Sequence, residues 1–540
     1  MLKRDITRTN ILIASAGGMI GSGWLFSPFI SAQIAGGNAL ISWILAALFM
    51  LCIALPLCEL GTLFPISGGM TNYPSFTHGR EVGFLFAWAS WLSYVVMTPI
   101  EIQAILQYSS HFFPSLIVKQ TGAFALSGIG YLAAVGIMAV VVLLNSYGIK
   151  MLAECNKIAS LLKILAPSVA IVALLAIAPS WENASIHLSD KKDWALIFSA
   201  LSTGGIAFAF TGFQNGLMLA GEVQNPHRNI PLAILGAVLV GFVLYFMLQL
   251  SFLVAVPSSY LKGGWQNLHF PGDSGPLVGL TLLLGLGLVS ILLMIDAAFS
   301  PFGSTLVFTA ATARIVYGMA LNQHLPPFLL KLNRYKIPYV ALFVNVIAGL
   351  MAFLPFPGWQ KMVAFLSSCS ILSYGIGPIC LLALRRLEPN KPRPFKLRCS
   401  WLMSHMAFYI CNLMLYWCGF DILWKLTLAL LLGFVFQQFY QLKLNSSQNT
   451  EIANKSEQPK GTSRANLYWF ASYMFSMLLL SYVGSFGGMG YLQFPWDLVI
   501  MLPVSMLILH TSQWGLLPSP LKEEHSEAKS KSRTFAECGF

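Results

Sequence analysis

Long apolar stretches recur along this chain and limit its possible folds more than any other feature. A helix needs about 20 apolar residues to cross the hydrocarbon core of a bilayer. Of the 540 residues, 56% are hydrophobic and only 10% are charged, whereas a soluble domain carries roughly 25% charged residues. We therefore predict an all-α integral membrane protein with fourteen transmembrane helices, at residues 11–34, 39–63, 82–112, 124–147, 152–178, 195–220, 231–256, 278–312, 338–355, 361–384, 402–420, 422–440, 466–483 and 494–512.

The distribution of Lys and Arg predicts how the chain is oriented. The first apolar stretch is longer than the hydrophobic region of a signal peptide, so we interpret it as a transmembrane helix and not as a cleaved segment. With the N-terminus in the cytoplasm, most of the 32 Lys and Arg residues lie in inner loops and tails, as the positive-inside rule requires. This arrangement places both termini in the cytoplasm. It also accounts for the net charge of +12 without a nucleic-acid partner.

Hydrophilic segments divide the chain into regions. Residues 1–10 form a cytoplasmic N-terminus, residues 11–385 a ten-helix core, and residues 386–440 a basic loop followed by helices 11 and 12. Residues 441–465 are polar and indicate a cytoplasmic linker, after which residues 466–512 hold helices 13 and 14. Residues 513–540 are charged and typical of a disordered cytoplasmic tail.

Glycine clusters interrupt the first and the sixth predicted helices. The first cluster is Gly17, Gly18, Gly21 and Gly23, and the second is Gly204, Gly205, Gly212 and Gly216. Glycine inside a helix costs about 1 kcal/mol relative to alanine. Two interrupted helices five positions apart are typical of two five-helix inverted repeats, each of which begins with a broken helix. The alternative interpretation is that these glycines only allow close helix packing, since small residues four apart do so in membranes.

Broken helices in a membrane predict a binding site. Unpaired backbone groups are tolerated there only where they line a cavity or are buried in protein. The N-terminal end of a second half-helix offers N–H groups and a positive dipole to an anion, and the carbonyls that end a first half-helix can accept from an ammonium group. Two facing breaks therefore suit a zwitterion such as an amino acid.

Ionisable residues within the predicted spans are candidates for ion coupling. Lys163 is the only cation predicted deep in the membrane, about 16 Å along the fifth helix, and such residues are usually functional. The alternative is a lysine that only bonds helix carbonyls or reaches an interface. Glu101 and Asp296 are weaker candidates for proton binding, whereas Glu59, near the inner end of the second helix, favours a structural role.

Four motifs, in order along residues 8–400, resemble those of the amino acid–polyamine–organocation (APC) transporters. They are GGMIGSGWLFSP (residues 17–28), ELGTLFPISGGMTNYPSFTHG (59–79), FAFTGFQNGLMLAGEVQNPHRNIP (208–231) and ARIVYGMALNQHLPPFLLKLN (313–333). The segments PIE (99–101) and DAAFSPFG (296–303) are most similar to the bacterial aspartate–proton symporter branch.

This resemblance implies a LeuT-type fold, a bacterial inner (plasma) membrane location and transport by alternating access. It implies that the substrate carboxylate meets the backbone of Gly21, Ser22 and Gly23. The residues implied to complete the substrate site, through carbonyls or the unwound sixth helix, are Met19, Phe208, Phe210, Thr211 and Gly212. Lys163 matches a lysine that replaces the sodium site in proton-coupled relatives, and Phe308 falls where some relatives have an aromatic gate. Gln214 stands where many members have Glu.

We therefore predict a secondary active transporter that imports an amino acid, aspartate or glutamate by the resemblance, through proton symport. The alternatives are an exchanger, a transporter of neutral amino acids, and a sensor that does not transport. The sequence contains no nucleophile–base or metal-ligand pattern, so we expect no enzyme activity, no metal and no cofactor, with H⁺ as the coupling ion. The expected partners are the amino acid and the lipid bilayer, and the oligomeric state is not predicted.

Overall fold

The computed structural model describes residues 4, 6–66, 68–120, 123–146, 149–270, 275–356, 358–446 and 464–516. Twenty α-helices lie in these residues: α1 Arg8–Met19, α2 Gly23–Ala35, α3 Ala39–Leu63, α4 Gly69–His78, α5 Arg80–Ser109, α6 Gly128–Ser146, α7 Ile149–Ile177, α8 Lys191–Thr203, α9 Ile206–Ala209, α10 Asn215–Met218, α11 Pro226–Ala255, α12 Pro276–Leu283, α13 Gly287–Leu321, α14 Tyr339–Ala352, α15 Trp359–Tyr374, α16 Ile376–Leu387, α17 Ser400–Trp417, α18 Phe420–Ser446, α19 Arg464–Val483 and α20 Trp496–Thr511.

Each of the fourteen predicted segments contains helix, with several corrections to its bounds. The first predicted helix is α1 plus α2, separated at residues 20–22, and the sixth is α8, α9 and α10. The eighth is divided into α12 and α13 near Gly285, whose φ is +74°. Within the described residues, seven helical segments are long and apolar enough to cross a membrane by length and composition. The structure thus shows a multi-pass membrane protein, while the count of fourteen spans stays a prediction.

A β-hairpin corrects the expectation of a purely helical chain. Strand β1, Ile117–Gln120, pairs antiparallel with β2, Ala123–Leu126, in the connection between α5 and α6. The fourth apolar segment, predicted to begin at residue 124, therefore starts with a strand, and its helix begins at Gly128. The reason is local, because backbone N–H and C=O groups in a connection need partners and an antiparallel pair supplies them within a few residues.

The centre of the fold is built on α5 and α13. The helix α5 packs along α13 and α15, and α13 also packs along α7. On another side, α11 packs against α1 and α3. Nearly every residue of α5 between Val82 and Tyr108 is buried, so α5 is enclosed by protein and not by lipid. The segments that carry the glycine clusters are held against this centre.

The last helices pack onto the outside of this core through buried polar groups. Asp497 on α20 accepts hydrogen bonds from the Tyr416 hydroxyl and the Ser485 hydroxyl, both at 2.8 Å. Asn412 on α17 donates to Ser505 on α20 at 2.9 Å. These contacts hold α17 and α20 together in a fixed register. Most of the predicted linker (441–465) and tail (513–540), and part of the predicted N-terminus (1–10), lie outside the described residues.

Glu59 has the structural role that its position predicted. Its buried carboxylate receives two hydrogen bonds from Arg385, at 2.9 and 2.7 Å, and one from the backbone N–H of Leu397 at 2.9 Å. The Arg393 guanidinium lies 3.7 Å from the same carboxylate. This cluster ties α3 to the end of α16 and to the basic loop that follows it.

Replacing Glu59 by alanine is therefore expected to lower stability by about 3 kcal/mol, because removing one partner leaves the other charges buried and unpaired. The measurement is the midpoint of thermal unfolding in detergent. Asp421→Ala is the matched control, since it breaks an exposed pair with Lys425 and exposed pairs contribute little. Equal midpoints for the two variants would contradict the prediction.

Candidate functional site

The two helix interruptions face each other in the folded protein. We call residues 20–22, between α1 and α2, the first break, and residues 210–214, between α9 and α10, the second break. Gly212, at φ +127°, lies so close to α1 that an added Cβ would be 2.5 Å from the carbonyl carbon and oxygen of Gly18. At Gly23 an added Cβ would lie 3.1 Å from the ring of Phe208. The two breaks are thus in close contact, which agrees both with the packing interpretation and with the binding-site interpretation of these glycines.

Glu101 occupies the N-terminal end of α2, where a substrate carboxylate is predicted to bind. Its two oxygens accept hydrogen bonds from the Ser22 N–H at 2.9 and 3.1 Å, and the side chain is fully buried. An added Cβ at Gly21 would overlap one of these oxygens. Helix N-termini stabilise anions through free N–H groups and the helix dipole. The predicted backbone site is therefore occupied in this structure by a carboxyl group of the protein itself.

The carbonyl groups predicted to receive the substrate ammonium are also partnered. The Met19 carbonyl accepts from the Tyr245 hydroxyl at 2.9 Å and from the Gly21 N–H at 3.1 Å. The Phe208 carbonyl accepts from the Thr211 N–H at 2.8 Å. An incoming ammonium would have to share or replace these bonds. The roles of Met19, Phe208 and Thr211 in binding stay predictions.

Lys163 connects three helices at the first break. Its ammonium donates to the Ser304 hydroxyl on α13 at 2.8 Å and to the Gly17 carbonyl on α1 at 3.2 Å. The side chain is 2% exposed, so it does not reach a membrane surface. Glu101 and Asp296 both interact electrostatically with this lysine, although no carboxylate of a described residue lies within ion-pair distance of it.

A wall of aromatic and amide side chains adjoins the second break. Phe308 packs against Tyr94 with ring centroids 5.4 Å apart, and the Tyr94 hydroxyl donates to the Asn215 side chain at 3.1 Å. The Gln214 side-chain oxygen accepts from the Gly212 N–H at 2.8 Å and from the Tyr374 hydroxyl at 3.0 Å. The hydrogen-bonding groups of this wall are neutral, and the gate role of Phe308 stays a prediction.

Phe210 packs against a different pair of aromatic side chains. Its buried ring packs between Trp43 and Tyr245, with ring centroids 5.9 and 6.1 Å apart. Its contribution to a site would therefore come from its backbone.

Sequence reasoning did not identify Trp359 or Ser304. The Trp359 indole at the start of α15 donates to the Ser22 hydroxyl at 3.0 Å and packs on Phe26 with ring centroids 4.7 Å apart. Nothing in the sequence distinguishes this tryptophan from the other thirteen, since the chain has 14. Ser304 was detectable in principle, because a buried lysine needs a hydrogen-bond acceptor on a neighbouring helix.

The bundle of apolar helices and the buried junction of two broken helices define a multi-pass membrane transporter. The model of a family described as amino acid permease matches residues 6–453. The glutamate/serine transporter AimA of Bacillus subtilis is 34% identical over 539 residues, which cover 98% of this chain and 96% of that protein. The aspartate-proton symporter of Bacillus subtilis is 32% identical over 520 residues, covering 96% and 97%.

A human relative shows how widely the similarity extends. The large neutral amino acids transporter small subunit 2 of Homo sapiens is 25% identical over 426 residues, covering 76% of this chain and 75% of that protein. The chain belongs to the amino acid permease family of the APC superfamily. It is an amino acid transporter and not an enzyme.

Proposed function

We propose that this protein imports an acidic amino acid, aspartate or glutamate, together with a proton, by alternating access. The observation that carries the proposal is the hydrogen-bonded connection of Lys163 to α1 and α13 next to an anion site occupied by Glu101. A lysine that can gain and lose a proton at this position can bias the relative positions of the helices that it joins. The names of the two Bacillus subtilis relatives, a glutamate/serine transporter and an aspartate-proton symporter, support an acidic substrate.

The same proposal includes a LeuT-type core of two five-helix inverted repeats over residues 11–385, with about four further helices. The two breaks, which interrupt the first and sixth predicted helices, support it. We also propose that the protein lies in a bacterial plasma membrane with both termini in the cytoplasm. The distribution of Lys and Arg along the sequence supports that orientation.

Competition for the Ser22 N–H provides a way to couple substrate and proton. A substrate carboxylate that binds the N-terminus of α2 must displace the carboxylate of Glu101 or share the site with it. Two carboxylates cannot both stay ionised at close range without a large electrostatic cost. Substrate binding is therefore expected to favour the protonated form of Glu101, with Lys163 and Tyr245 as the other ionisable groups that interact with it.

Exchange of a neutral amino acid is the second candidate. The amide and hydroxyl groups of Tyr94, Asn215 and Gln214, in the wall beside the second break, are uncharged. The AimA relative is named for serine as well as glutamate. Thermal unfolding of the purified protein with each of the twenty amino acids separates acidic from neutral substrates, since a ligand that binds only the folded state raises the midpoint. Uptake into proteoliposomes, with and without internal amino acid, separates symport from exchange and from a sensor.

The pH dependence of substrate affinity tests the role of Glu101. In the wild type we expect affinity for an acidic amino acid to weaken as pH rises, by up to about tenfold per pH unit if one proton binds with each substrate. In Glu101→Gln that slope is expected to vanish, because the amide does not ionise. The control is Glu81→Gln in the first turn of the same helix, which should keep the wild-type slope. A wild-type slope in Glu101→Gln would refute the competition.

A further inference from the structure

A buried polar stripe runs along α13 and ends at Lys163. Asp296, Ser300 and Ser304 are four residues apart, so they lie on one face of the helix. They are 0%, 0% and 2% exposed and extend over about 12 Å of the helix axis. We call these three residues the polar track. At one end of it the Ser304 hydroxyl accepts the hydrogen bond of the Lys163 ammonium at 2.8 Å.

The middle and the far end of the polar track have unused hydrogen-bonding capacity. Neither carboxylate oxygen of Asp296 has a hydrogen-bond partner among the described residues, and neither does the Ser300 hydroxyl. Pro301 follows Ser300 within the helix. Because proline has no N–H, it cannot donate to the Ala297 carbonyl one turn earlier. A carboxylate and a hydroxyl without hydrogen-bond partners among the described residues therefore flank a carbonyl that lacks its usual helical donor.

The buried carboxylates of Glu59 and Asp497, unlike that of Asp296, have hydrogen-bond partners. Glu59 is held by Arg385, by Arg393 and by the Leu397 N–H. Asp497 is held by Tyr416 and Ser485 and by the Leu498 N–H. Burial of a polar group without a partner is costly, so a carboxylate kept only for stability would be expected to have partners like these. Asp296 does not have them, which is typical of a group that must exchange its partner.

The surroundings of Asp296 supply one cation and one hydroxyl. Lys163 on α7 interacts with it electrostatically without an ion pair in the described structure, and so does the Tyr108 hydroxyl on α5. Glu101, also on α5, interacts with Lys163. Among the described residues, no other ionisable side chain interacts electrostatically with Asp296. The carboxylate and the Lys163 ammonium thus influence each other without forming an ion pair.

We propose that Asp296 is a proton-binding site and that the polar track carries a proton between it and Lys163. This inference rests on the proton coupling proposed above. In that orientation α13 runs from the outer to the inner side, which places Asp296 on the outer side of Lys163. The Asp296 carboxylate takes a proton from external water. The proton passes through water and then through the Ser300 and Ser304 hydroxyls, each of which accepts one proton as it releases another, to the uncharged Lys163 amine, so that Asp296 is again ionised.

Two transport assays on the same proteoliposomes test the polar track. The probe is whichever of L-aspartate, L-glutamate and L-serine the wild type exchanges between equal pools. Exchange at equal pH reports substrate binding and alternating access, and accumulation driven by an outside-acid gradient reports proton coupling. For Asp296→Asn we expect exchange to persist and accumulation to fall at least about tenfold, as on loss of a positioned proton-transfer group. Ser300→Ala should slow accumulation less, and Asp421→Asn, an exposed carboxylate on α18, should match the wild type.

Each result has a distinct meaning. If the wild type exchanges its probe but does not accumulate it in a proton gradient, the proposed symport fails, whatever Asp296 does. If the wild type accumulates its probe, wild-type accumulation in Asp296→Asn overturns the polar track. Parallel loss of exchange and accumulation in a folded Asp296→Asn protein also overturns it, because Asp296 would then support the substrate site. Accumulation that needs a sodium gradient and is lost in Asp296→Asn would make Asp296 a cation ligand and overturns the proton assignment.

Discussion

Alanine at position 212 is expected to reduce transport about a hundredfold, the loss that a displacement of roughly 1 Å can cause at a site that depends on positioning. The added Cβ would lie 2.5 Å from the carbonyl carbon and oxygen of Gly18 and 2.7 Å from the nitrogen of Met19. These are backbone atoms and cannot rotate away as a side chain could. The second break must therefore move away from α1, and the two halves of the site separate. Initial uptake into proteoliposomes measures the loss.

Two glycine controls separate this effect from general disturbance. Gly285 has φ +74° and open space around its Cβ position, so Gly285→Ala reports the cost of the backbone conformation alone, about 1–3 kcal/mol. Gly136 lies within α6 with nothing near its Cβ position, so Gly136→Ala reports the effect of a helical glycine substitution without overlap. Both should retain most of the uptake. Wild-type uptake by Gly212→Ala would show that the close approach of the two breaks is not needed.

Loss of the Lys163 charge is expected to abolish proton-driven accumulation while substrate binding persists. The ammonium joins α1 to α13 through the Gly17 carbonyl and the Ser304 hydroxyl, whereas the proposed substrate site is built mainly from backbone groups of the two breaks. Lys163→Ala should therefore bind substrate and exchange it between equal pools. Lys163→Arg should not restore accumulation, because the guanidinium keeps its proton at all physiological pH values and its planar shape differs from that of the ammonium.

Uptake into proteoliposomes with a pH gradient or a sodium gradient, imposed separately, tests the role of Lys163 in proton coupling. Lys425→Ala is the control, since Lys425 is a partly buried lysine on α18 that pairs with the exposed carboxylate of Asp421. We expect the control to accumulate substrate in the pH gradient and to ignore sodium. Wild-type accumulation by Lys163→Ala, or a sodium requirement in the wild type, would refute the proton-carrier role of this lysine.

In the proposed coupling, Glu101, Lys163 and Asp296 each have a different role. Glu101 touches the anion site at α2, Lys163 touches α1 and α13, and Asp296 lies one and two helical turns from Ser300 and Ser304 along α13. The substitutions above affect different measured quantities. The Glu101 variant is expected to change the pH dependence of substrate affinity. The Lys163 and Asp296 variants are expected to lose accumulation and to keep exchange. Ser300→Ala then tests the proton path between Asp296 and Lys163, because the polar track includes that hydroxyl.

The sequence alone determined that this chain crosses a membrane and breaks its first and sixth predicted helices. Apolar runs of about 20 residues admit few other structures, and glycine clusters around Gly21 and Gly212 identify the breaks because glycine is a poor helix former. The burial of Lys163 was also predictable, since its position along the fifth helix places it far from either membrane surface. These inferences use only local composition and position along one segment.

Only the tertiary structure decided which groups meet at the breaks. That Glu101 bonds the Ser22 N–H, that Ser304 receives Lys163 and that Trp359 covers Ser22 all depend on pairs far apart in the chain. Helical periodicity shows which residues lie on the same face of one helix. It does not show which neighbouring helix contacts that face, or how the two helices are rotated relative to each other. The β-hairpin was missed for a different reason: its pairing is local, but a strand of four residues is stabilised by its partner across the ladder and has little signal of its own.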